Sequence, residues 1–508
     1  MKESIFRNLF VGASLYTASN AVLGIAKLLL IPVYTHYLIP EQYGVLGAVN
    51  TMNIILIMVM SFGIERAVAR EYFDYENDPA ALRSYLITLL AFSGVLNIFV
   101  VAILTVSNFW LTGWWSSEIK IPYYPYVVIA LAISSSTTFY SIFMVILQVK
   151  QMALPYVAAQ VLRFLLIIGV TLTLLIGFDM GATAVLGAEL VATATTTVTI
   201  IIFFRRKFLP AHIIETGVPL STFTPDKKIG QNILAGLYYI GKMFDYQKLR
   251  KAMFYAFPLL VFELGGWVIS GLDRLFLAKF CSLEEVGFYA LGATLAQGLN
   301  VLTSSIQTAY LPFFFQTAKA DPHPEIVFAR VAGLYVLVIG FVCLIGMLFT
   351  SEIIRMIAPS TYEKSNVIMR ILLLSTFFWS LYRLAVLPLL HLKETGHLIV
   401  FISLSMILSL AGNLWSIPHY GAVGAAWTNA LCYGFLFILT FKVASKRFPI
   451  KYAVGSFWGV IVLIVGGGFL LYDQSIILRL SIFSGMITLA VFLNYRQGNF
   501  LIIRDRRV

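Results

Sequence analysis

The stretch Phe257–Gly292 has the sequence FPLLVFELGGWVISGLDRLFLAKFCSLEEVGFYALG. It places Glu263, Asp273 and Arg274 in an otherwise apolar run and closes with Leu-Glu-Glu-Val-Gly at 283–287. Ionisable groups at membrane depth are costly, so they usually face a helix-bundle interior or a hydrated cavity, and they mark transport routes. The stretch therefore predicts a membrane protein with a polar interior.

The composition of the whole chain excludes an ordinary soluble protein. Of the 508 residues, 59% are hydrophobic and only 12% are charged, and the mean hydropathy is +0.87. The net charge is +12, but the basic residues lie in short segments between apolar runs and form no continuous basic face. We therefore expect the bilayer to be the partner of these charges, and we expect no nucleic-acid partner.

Apolar runs of membrane length follow one another along the chain. A helix needs about 20 apolar residues to cross the hydrocarbon core. On this basis the sequence predicts an all-α, polytopic membrane protein with about 14 transmembrane helices, the first of which is a retained span and not a cleaved signal peptide. The approximate cores are 10–38, 44–65, 84–110, 123–148, 155–177, 181–204, 252–278, 288–315, 328–350, 367–390, 397–417, 422–444, 452–472 and 475–495.

The basic residues predict the orientation of these spans. An even number of spans places both termini on one side. Of the 36 lysines and arginines, 26 fall in the termini and in the loops after even-numbered helices, five fall in the opposite loops, and five lie in or at the ends of spans. Because positive residues stay inside, we expect a multi-pass protein of the cell (inner) membrane with both termini cytoplasmic.

An internal repeat organises the chain. The segment Pro40–Leu46, PEQYGVL, matches Leu283–Tyr289, LEEVGFY, and both lie between two predicted spans. The same offset of 243 residues separates three matched pairs, which are Glu41 and Glu284, Lys150 and Lys393, and Gly181 and Gly424. The repeat predicts two pseudo-symmetric six-helix lobes, helices 1–6 and 7–12, around a central cavity, with two extra C-terminal helices.

The repeat also sets the predicted domain boundaries. Residues 1–204 form the N-lobe and residues 252–447 the C-lobe, while residues 448–508 hold helices 13 and 14 and a basic cytoplasmic tail. Residues 205–251 form a cytoplasmic basic linker between the lobes. The part of this linker from residue 231 onward is either an amphipathic helix on the inner leaflet or a solvated loop.

Several of these motifs resemble a known family. They are the end of the first span at Tyr34–Leu38, the Pro-Glu-Gln-Tyr-Gly turn, Leu272-Asp273-Arg274 with the Glu-Glu-Val-Gly-Phe-Tyr that follows, and Gly421–Ala426 before helix 12. The chain resembles the polysaccharide-transporter branch of the multidrug/oligosaccharidyl-lipid/polysaccharide flippase superfamily, and within it the Wzx-type O-antigen or exopolysaccharide repeat-unit flippases. This resemblance implies a V-shaped pair of lobes that exports a polyprenyl-diphosphate-linked oligosaccharide from the cytoplasmic to the periplasmic leaflet for surface polysaccharide biosynthesis, lipopolysaccharide included.

Four basic side chains inside predicted spans are candidate substrate ligands. A flippase for a lipid-linked diphosphate needs fixed cations in a hydrated cavity, and arginine and lysine both bind phosphate. The candidates are Lys27, Arg163, Arg274 and Arg383. The alternative for Arg274, beside Asp273, is an ion pair or an interfacial anchor at the outer rim, and Arg370 is expected to be an interfacial anchor only.

Three acidic side chains are candidate ion-coupling residues. A carboxylate at membrane depth can exchange a proton or bind Na⁺, so we expect H⁺ or Na⁺ coupling and no other cofactor. The candidates are Glu263, Glu189 and Asp273, and the alternative is a paired carboxylate that holds helices together. A separate group, Glu65, Arg66 and Arg70, is either a cytoplasmic mouth or a simple charge cluster.

Amide and hydroxyl side chains inside the spans can hydrogen-bond sugar hydroxyls, although each alone more often joins helices. They are Asn97, Gln160, Gln297, Asn300, Gln307 and Tyr310. The sequence shows no metal-ligand spacing, nucleophile elbow, phosphate loop or pair of catalytic carboxylates, so we expect no metal site and no enzyme. The alternatives to a repeat-unit flippase are a lipid II flippase of peptidoglycan synthesis, a cation-coupled multidrug antiporter, and a scaffold that recruits glycosyltransferases or a polymerase through residues 205–251.

Overall fold

A computed structural model describes residues 28–110, 121–208, 238, 241–320, 323–450 and 454–470, together with single residues and short pieces between 474 and 488. The described residues form helices and contain no strand. In the first part of the chain the helices are α1 (Ile31–Tyr37), α2 (Pro40–Ser61), α3 (Ile64–Tyr75), α4 (Pro79–Trp110), α5 (Val128–Val149), α6 (Ala153–Leu172) and α7 (Ala182–Phe208). One turn of π-helix precedes α5 at Tyr123–Val127, and another follows α6 at Thr173–Gly177.

The second part of the chain continues in the same way. Its helices are α8 (Tyr246–Ser270), α9 (Leu272–Phe280), α10 (Leu283–Ala296), α11 (Gly298–Ala320), α12 (Pro324–Leu348), α13 (Thr350–Ile357), α14 (Ser365–His391), α15 (Thr395–Arg447) and α16 (Val454–Leu470). Among the described residues, nine helical segments are long and apolar enough to cross a membrane. The predicted all-α membrane fold is confirmed, while the count of fourteen spans stays a prediction.

Some predicted spans are broken where the sequence suggested one continuous helix. The span 44–65 is interrupted between α2 and α3, because Phe62 and Gly63 both take left-handed backbone angles. The span 252–278 stops at Ser270 and resumes as α9 after Gly271, and the span 288–315 is interrupted at Gln297. Apolar periodicity alone does not show such breaks, since every flanking turn is still helical and apolar.

The chain divides into two compact units: the described residues between 48 and 267 belong to the first, and those between 28 and 47 and between 268 and 488 belong to the second. The boundaries of these units follow the packing of the helices and differ from the boundaries of the two sequence repeats. As a result, α2 and α8 each contribute residues to both units. The predicted lobe boundaries at 204 and 252 stay predictions.

In the first unit, the core lies where α3, α4 and α5 meet the start of α8. Ile64, Tyr85 and Ile142 are fully buried there, and Leu249 of α8 packs against them. The end of the predicted linker is therefore attached to this unit: the Ser84 hydroxyl donates to the Met243 carbonyl at 2.8 Å. Residues 241–251 thus lie against protein, and the rest of the linker, apart from residues 205–208 at the end of α7 and residue 238, lies outside the described residues.

In the second unit, α14 is the central helix. In the most apolar segment of α14, 72% of the residues are buried, compared with 17% for α6 and 22% for α4 in the other unit. A helix that is apolar all round and buried belongs to a core, whereas apolar helices with little burial face lipid. The helix α15 packs along α14 and is interrupted at Gly421, where φ is +57°, so that its two parts cover two predicted spans.

The two copies of the repeated turn pack against each other inside the second unit. A Cβ atom added at Gly44 would overlap the carbonyl oxygen of Leu283, and one added at Gly287 would overlap the carbonyl oxygen of Pro40. The second contact is the first with the two repeats exchanged, because 243 residues separate Gly44 from Gly287 and Pro40 from Leu283. The contact is therefore reciprocal, as in a two-fold-related interface, and each repeat needs glycine because backbone meets backbone.

Candidate functional site

The structure places the predicted site residues in both units. Arg163 (α6), Glu189 (α7) and Glu263 (α8) lie in the first unit, whereas Asp273 and Arg274 (α9) and Arg383 (α14) lie in the second. Lys27 lies outside the described residues. The structure brings Arg163 and Glu189 together and gives Glu263 a partner that the sequence analysis assigned only to a charge cluster.

Arg163 and Glu189 form one ion pair across α6 and α7. The Arg163 Nη2 atom lies 3.3 Å from Glu189 Oε1, and Arg163 Nε donates to the Thr193 hydroxyl at 3.0 Å. The guanidinium carbon also lies 5.0 Å from the centre of the Tyr140 ring. The two side chains are 20% and 31% exposed, so the pair is largely buried. The predicted cation and the predicted coupling acid therefore neutralise each other in this conformation.

Glu263 is paired in a similar way with Arg66, which lies in the first turn of α3 just after the helix break. Arg66 Nη2 donates to Glu263 Oε1. Glu65 lies next to this pair in sequence, and its second carboxylate oxygen is buried without a partner among the described residues. The break is what puts these charges there, because left-handed angles at residues 62 and 63 turn the chain before the new helix starts. Arg66 thus belongs to the candidate site.

Asp273 is 1% exposed and hydrogen-bonded on several sides within the second unit. Its carboxylate accepts hydrogen bonds from the Tyr289 hydroxyl, from Asn429 Nδ2 at 3.4 Å and from the backbone N–H of Arg274 at 2.7 Å. Asp273 is thus enclosed by α9, α10 and α15, and the prediction that it forms the outer rim of the cavity with Arg274 stays a prediction. Buried carboxylates need such donors.

The two remaining cations of the second unit differ in their surroundings. The Arg274 guanidinium carbon lies 5.7 Å from the centre of the Tyr289 ring, which is a cation–π contact. Arg383 is half-buried in α14, and no described carboxylate lies within ion-pair distance of it. Gln307 Nε2 donates to the Arg383 carbonyl at 3.4 Å, while Gln307 Oε1 and Asn300 Oδ1 are buried without a described partner. The backbone of Arg383 is therefore in contact with an amide side chain of α11.

Two charged residues were missed by the sequence analysis as buried groups. Arg370 is 2% exposed and donates to the Met347 carbonyl at 3.4 Å and to the Thr350 hydroxyl at 3.1 Å, so it is a helix-joining residue and not an interfacial anchor. Arg479, which the topology prediction assigned to a loop, is 7% exposed and binds Glu352. The sequence on either side of Arg370 and Arg479 indicated no partner for these side chains, because the partners come from other helices.

One predicted sugar-binding amide is instead a structural residue. Asn97 is 4% exposed, and its Nδ2 atom donates to the carbonyls of Met60 at 3.2 Å and Ser93 at 2.7 Å. Met60 lies in the last turn of α2, where the helix break leaves carbonyls without an intrahelical partner. Asn97 therefore stabilises the break, which agrees with the alternative that such amides join helices.

The residue types in these groups are ones that can exchange ions and bind anions. Glu189 and Glu263 each hold an arginine, whereas Arg383 has no carboxylate partner among the described residues. Arginine binds phosphate through its planar fork, and a carboxylate that gains a proton gives up its hold on a neighbouring cation. Among the described residues, no group of three or more His, Cys, Asp or Glu side chains could hold a metal ion.

The helices and buried charges define a multi-pass membrane protein with a transporter-like interior. The model of the family described as polysaccharide biosynthesis protein matches residues 9–318, which is more than half of the chain. The chain belongs to this family. A curated relative from Haemophilus influenzae, described as an uncharacterized membrane protein, is 22% identical over 320 residues, and the match covers 61% of this chain and 66% of that protein.

Solved structures share the fold at low sequence identity. The lipid II flippase MurJ, in an inward closed conformation, has a TM-score of 0.64 at 13% identity and covers 96% of this chain and 99% of its own. An inward-facing multidrug resistance MATE transporter of the MOP superfamily has a TM-score of 0.58 at 12% identity, with coverages of 85% and 99%. The fold indicated by the sequence motifs is therefore shared with these two structures, while the O-antigen or exopolysaccharide branch stays a prediction.

Proposed function

We propose that this chain is a flippase that moves polyprenyl-diphosphate-linked oligosaccharide repeat units from the cytoplasmic to the periplasmic leaflet by alternating access. The observation that carries the proposal is the set of arginines on membrane helices, Arg66, Arg163 and Arg383, in a chain of a polysaccharide biosynthesis family. A diphosphate cannot cross hydrocarbon without such cations. O-antigen or exopolysaccharide synthesis would use the exported unit.

Arg383 is the proposed first ligand of the diphosphate. Its charge is not compensated by a described carboxylate, so binding an anion there costs no existing ion pair. The buried amide oxygens of Gln307 and Asn300 would accept hydrogen bonds from sugar hydroxyls. Arg274, which lies on the Tyr289 ring, and Lys27 remain further proposed cations.

The ion pairs provide a means of coupling. A proton on Glu189 or Glu263 removes the negative charge that holds Arg163 or Arg66, and the freed guanidinium then binds the diphosphate. Loss of that proton restores the pair and displaces the lipid. Sodium bound at the same carboxylate would act in the same way. Asp273, the third candidate from the sequence, is the least suited to this role. Its three hydrogen-bond donors favour a structural role over ion exchange.

Reconstitution tests the proposal. Proteoliposomes would receive fluorescent polyprenyl-diphosphate oligosaccharides, and the fraction protected from a membrane-impermeant quencher would be measured. We expect protein-dependent translocation that depends on an imposed H⁺ or Na⁺ gradient, and a large loss in the Lys27, Arg163 and Arg383 triple alanine variant. No translocation of any candidate oligosaccharide, or full activity of the triple variant, would contradict the proposal.

The same vesicles separate the alternative functions. Translocation of lipid II in preference to oligosaccharide lipids would identify a peptidoglycan flippase, and protection of cells against cationic dyes would favour a multidrug antiporter. The described arginines suit an anionic lipid better than a cationic drug. A scaffold for glycosyltransferases or a polymerase would lose partner recruitment, and keep translocation, when residues 212–237 of the linker are deleted.

A further inference from the structure

A groove of mixed polar and apolar lining lies between α1 and α13 in the second unit, and none of the candidate ion pairs lines it. Its larger part has a volume of about 600 Å³ and its smaller part about 380 Å³, and both parts share Arg355, Ala358 and Pro359. Each volume falls in the range of roughly 300–1,000 Å³ that is typical of small-molecule sites. The loops that carry α13 and the end of α1 lie on the side that the charge pattern predicts to be outside.

The walls of the groove are fixed by two buried hydrogen bonds. The Thr35 hydroxyl, 1% exposed, donates to the Ile357 carbonyl at 2.7 Å. The Tyr362 hydroxyl, on a fully buried ring, donates to the Leu38 carbonyl at 2.7 Å. These bonds join segments more than 300 residues apart in sequence, so the groove does not depend on a flexible loop. A preformed site loses less entropy when a ligand binds.

The lining combines aromatic and planar polar groups. His36 and Tyr37 form one wall, and Tyr37 is 44% exposed. Arg355 and Glu363 lie on the other side, 3.4 Å apart and 74% and 68% exposed. Such an exposed ion pair contributes only roughly 0–1 kcal/mol to stability. A ligand can therefore replace the contact between Arg355 and Glu363 at little cost in free energy. Arg355 offers paired donors and Glu363 paired acceptors, which match neighbouring sugar hydroxyls.

We propose that this groove is a saccharide-binding site on the outer face, which holds the sugar part of the lipid-linked oligosaccharide after translocation. The proposal rests on the proposed function. A neutral sugar fits better than a phosphate group, because the charges of Arg355 and Glu363 cancel within the groove. Tyr37 offers a flat apolar face for the C–H side of a sugar ring, and the groove edges supply hydrogen-bonding groups.

Binding to a glycan array tests the groove without transport. The fluorescently labelled full-length protein, in detergent, would be applied to an array of bacterial surface oligosaccharides that carry no lipid. We expect the wild type to bind a restricted set of glycans, and Tyr37→Ala and Arg355→Ala to lower this signal by about tenfold. Tyr37→Phe keeps the ring and should retain binding.

The matched control is Arg447→Ala, because Arg447 is 54% exposed, lies 3.4 Å from Glu394 and is not among the residues that line the groove. This variant should bind as the wild type does. Absence of any glycan binding by the wild type, or equal binding by Arg355→Ala and Arg447→Ala, overturns the groove assignment. Displacement of bound glycan by inorganic diphosphate through Arg355 also overturns it. Translocation without glycan binding would leave the flippase proposal intact, and binding without translocation would leave the groove intact.

Discussion

The three candidate acidic side chains inside the membrane helices each have a compensating partner among the described residues. Glu189 and Glu263 each hold an arginine, and Asp273 is surrounded by hydrogen-bond donors. A buried ion pair is weak evidence for stability, because desolvation offsets its attraction. Loss of one partner is a different matter, since it leaves an uncompensated charge at depth. The residues in these pairs should therefore show strong mutual dependence.

A double-mutant cycle measures this dependence for Arg163 and Glu189. We expect each single alanine variant to lower the free energy of unfolding, and the double variant to lose less than the two effects added together. A coupling free energy of about 1 kcal/mol is expected for a largely buried membrane pair. Thermal unfolding of the purified variants in one detergent provides the measurement.

The exposed pair Arg355 and Glu363 serves as the control cycle, with side chains that are 74% and 68% exposed. Its coupling should stay under about 0.5 kcal/mol. Equal coupling in the two cycles, or additive losses at Arg163 and Glu189, would show that the buried contact does not hold the helices together.

A second residue-scale prediction concerns acid. Arg479 binds both carboxylate oxygens of Glu352, at 2.7 and 3.2 Å. Burial by itself raises the pKa of Glu352, but the hydrogen bonds and charge of Arg479 outweigh it, and the net result is a pKa below the ordinary value. A lowered pKa contributes stability that is complete above the carboxyl pKa of the unfolded chain. This stability is lost as pH falls through the lower pKa of the folded state.

The measurement compares wild type with Glu352→Gln across pH. We expect the wild type to be more stable near neutral pH, and this difference to shrink only when the pH falls below the range of ordinary carboxyl groups. Glu363→Gln, which removes an exposed pair with Arg355, should change stability little at any pH. A difference that grows in acid would contradict the Glu352 assignment.

At the scale of elements, the reciprocal contact of the repeated turns gives a prediction. Gly287→Ala places a methyl group in the position of the Pro40 carbonyl oxygen, and both atoms belong to rigid backbone regions. We expect a loss of roughly 1–3 kcal/mol of stability, since overpacking forces the helices apart. Thermal unfolding in detergent measures it, and Gly44→Ala should behave alike because the contact is symmetric.

Gly169→Ala is the matched control, because a Cβ atom at this exposed position in α6 meets nothing within 4 Å. Alanine is favoured over glycine inside a helix by about 0.5–1 kcal/mol, so this variant should be as stable as the wild type or more so. If Gly287→Ala and Gly169→Ala unfold at the same temperature, the two turns do not meet as described.

The sequence predicts the helices correctly wherever the length of an apolar run is enough to determine a helix. The span 367–390 lies within α14, and the spans 397–417 and 422–444 correspond to the two parts of α15. The breaks at Gly63, Gly271 and Gln297 were not predictable in this way. Local hydropathy does not change at these points, and the backbone there depends on tertiary partners such as Asn97.

At the scale of the whole molecule, the repeat was the strongest sequence signal. The repeat depends on matched positions that share one offset of 243 residues. Gly44 and Gly287, which lie in the contact between the two turns, are also separated by this offset. The candidate site was less predictable, because ion pairs join residues far apart in sequence. Charge type and depth identified Arg163, Glu189 and Glu263, yet nothing local to Glu263 indicated Arg66.

The central claim is that the chain moves a lipid-linked diphosphate, with Arg383 as a ligand. Its most direct test is the initial rate of translocation of a fluorescent polyprenyl-diphosphate oligosaccharide in proteoliposomes that hold equal amounts of wild type, Arg383→Ala or Arg447→Ala. We expect equal rates for wild type and Arg447→Ala, and a rate lower by about tenfold for Arg383→Ala. Translocation that is absent in the wild type, or equal in all three proteins, would contradict the account.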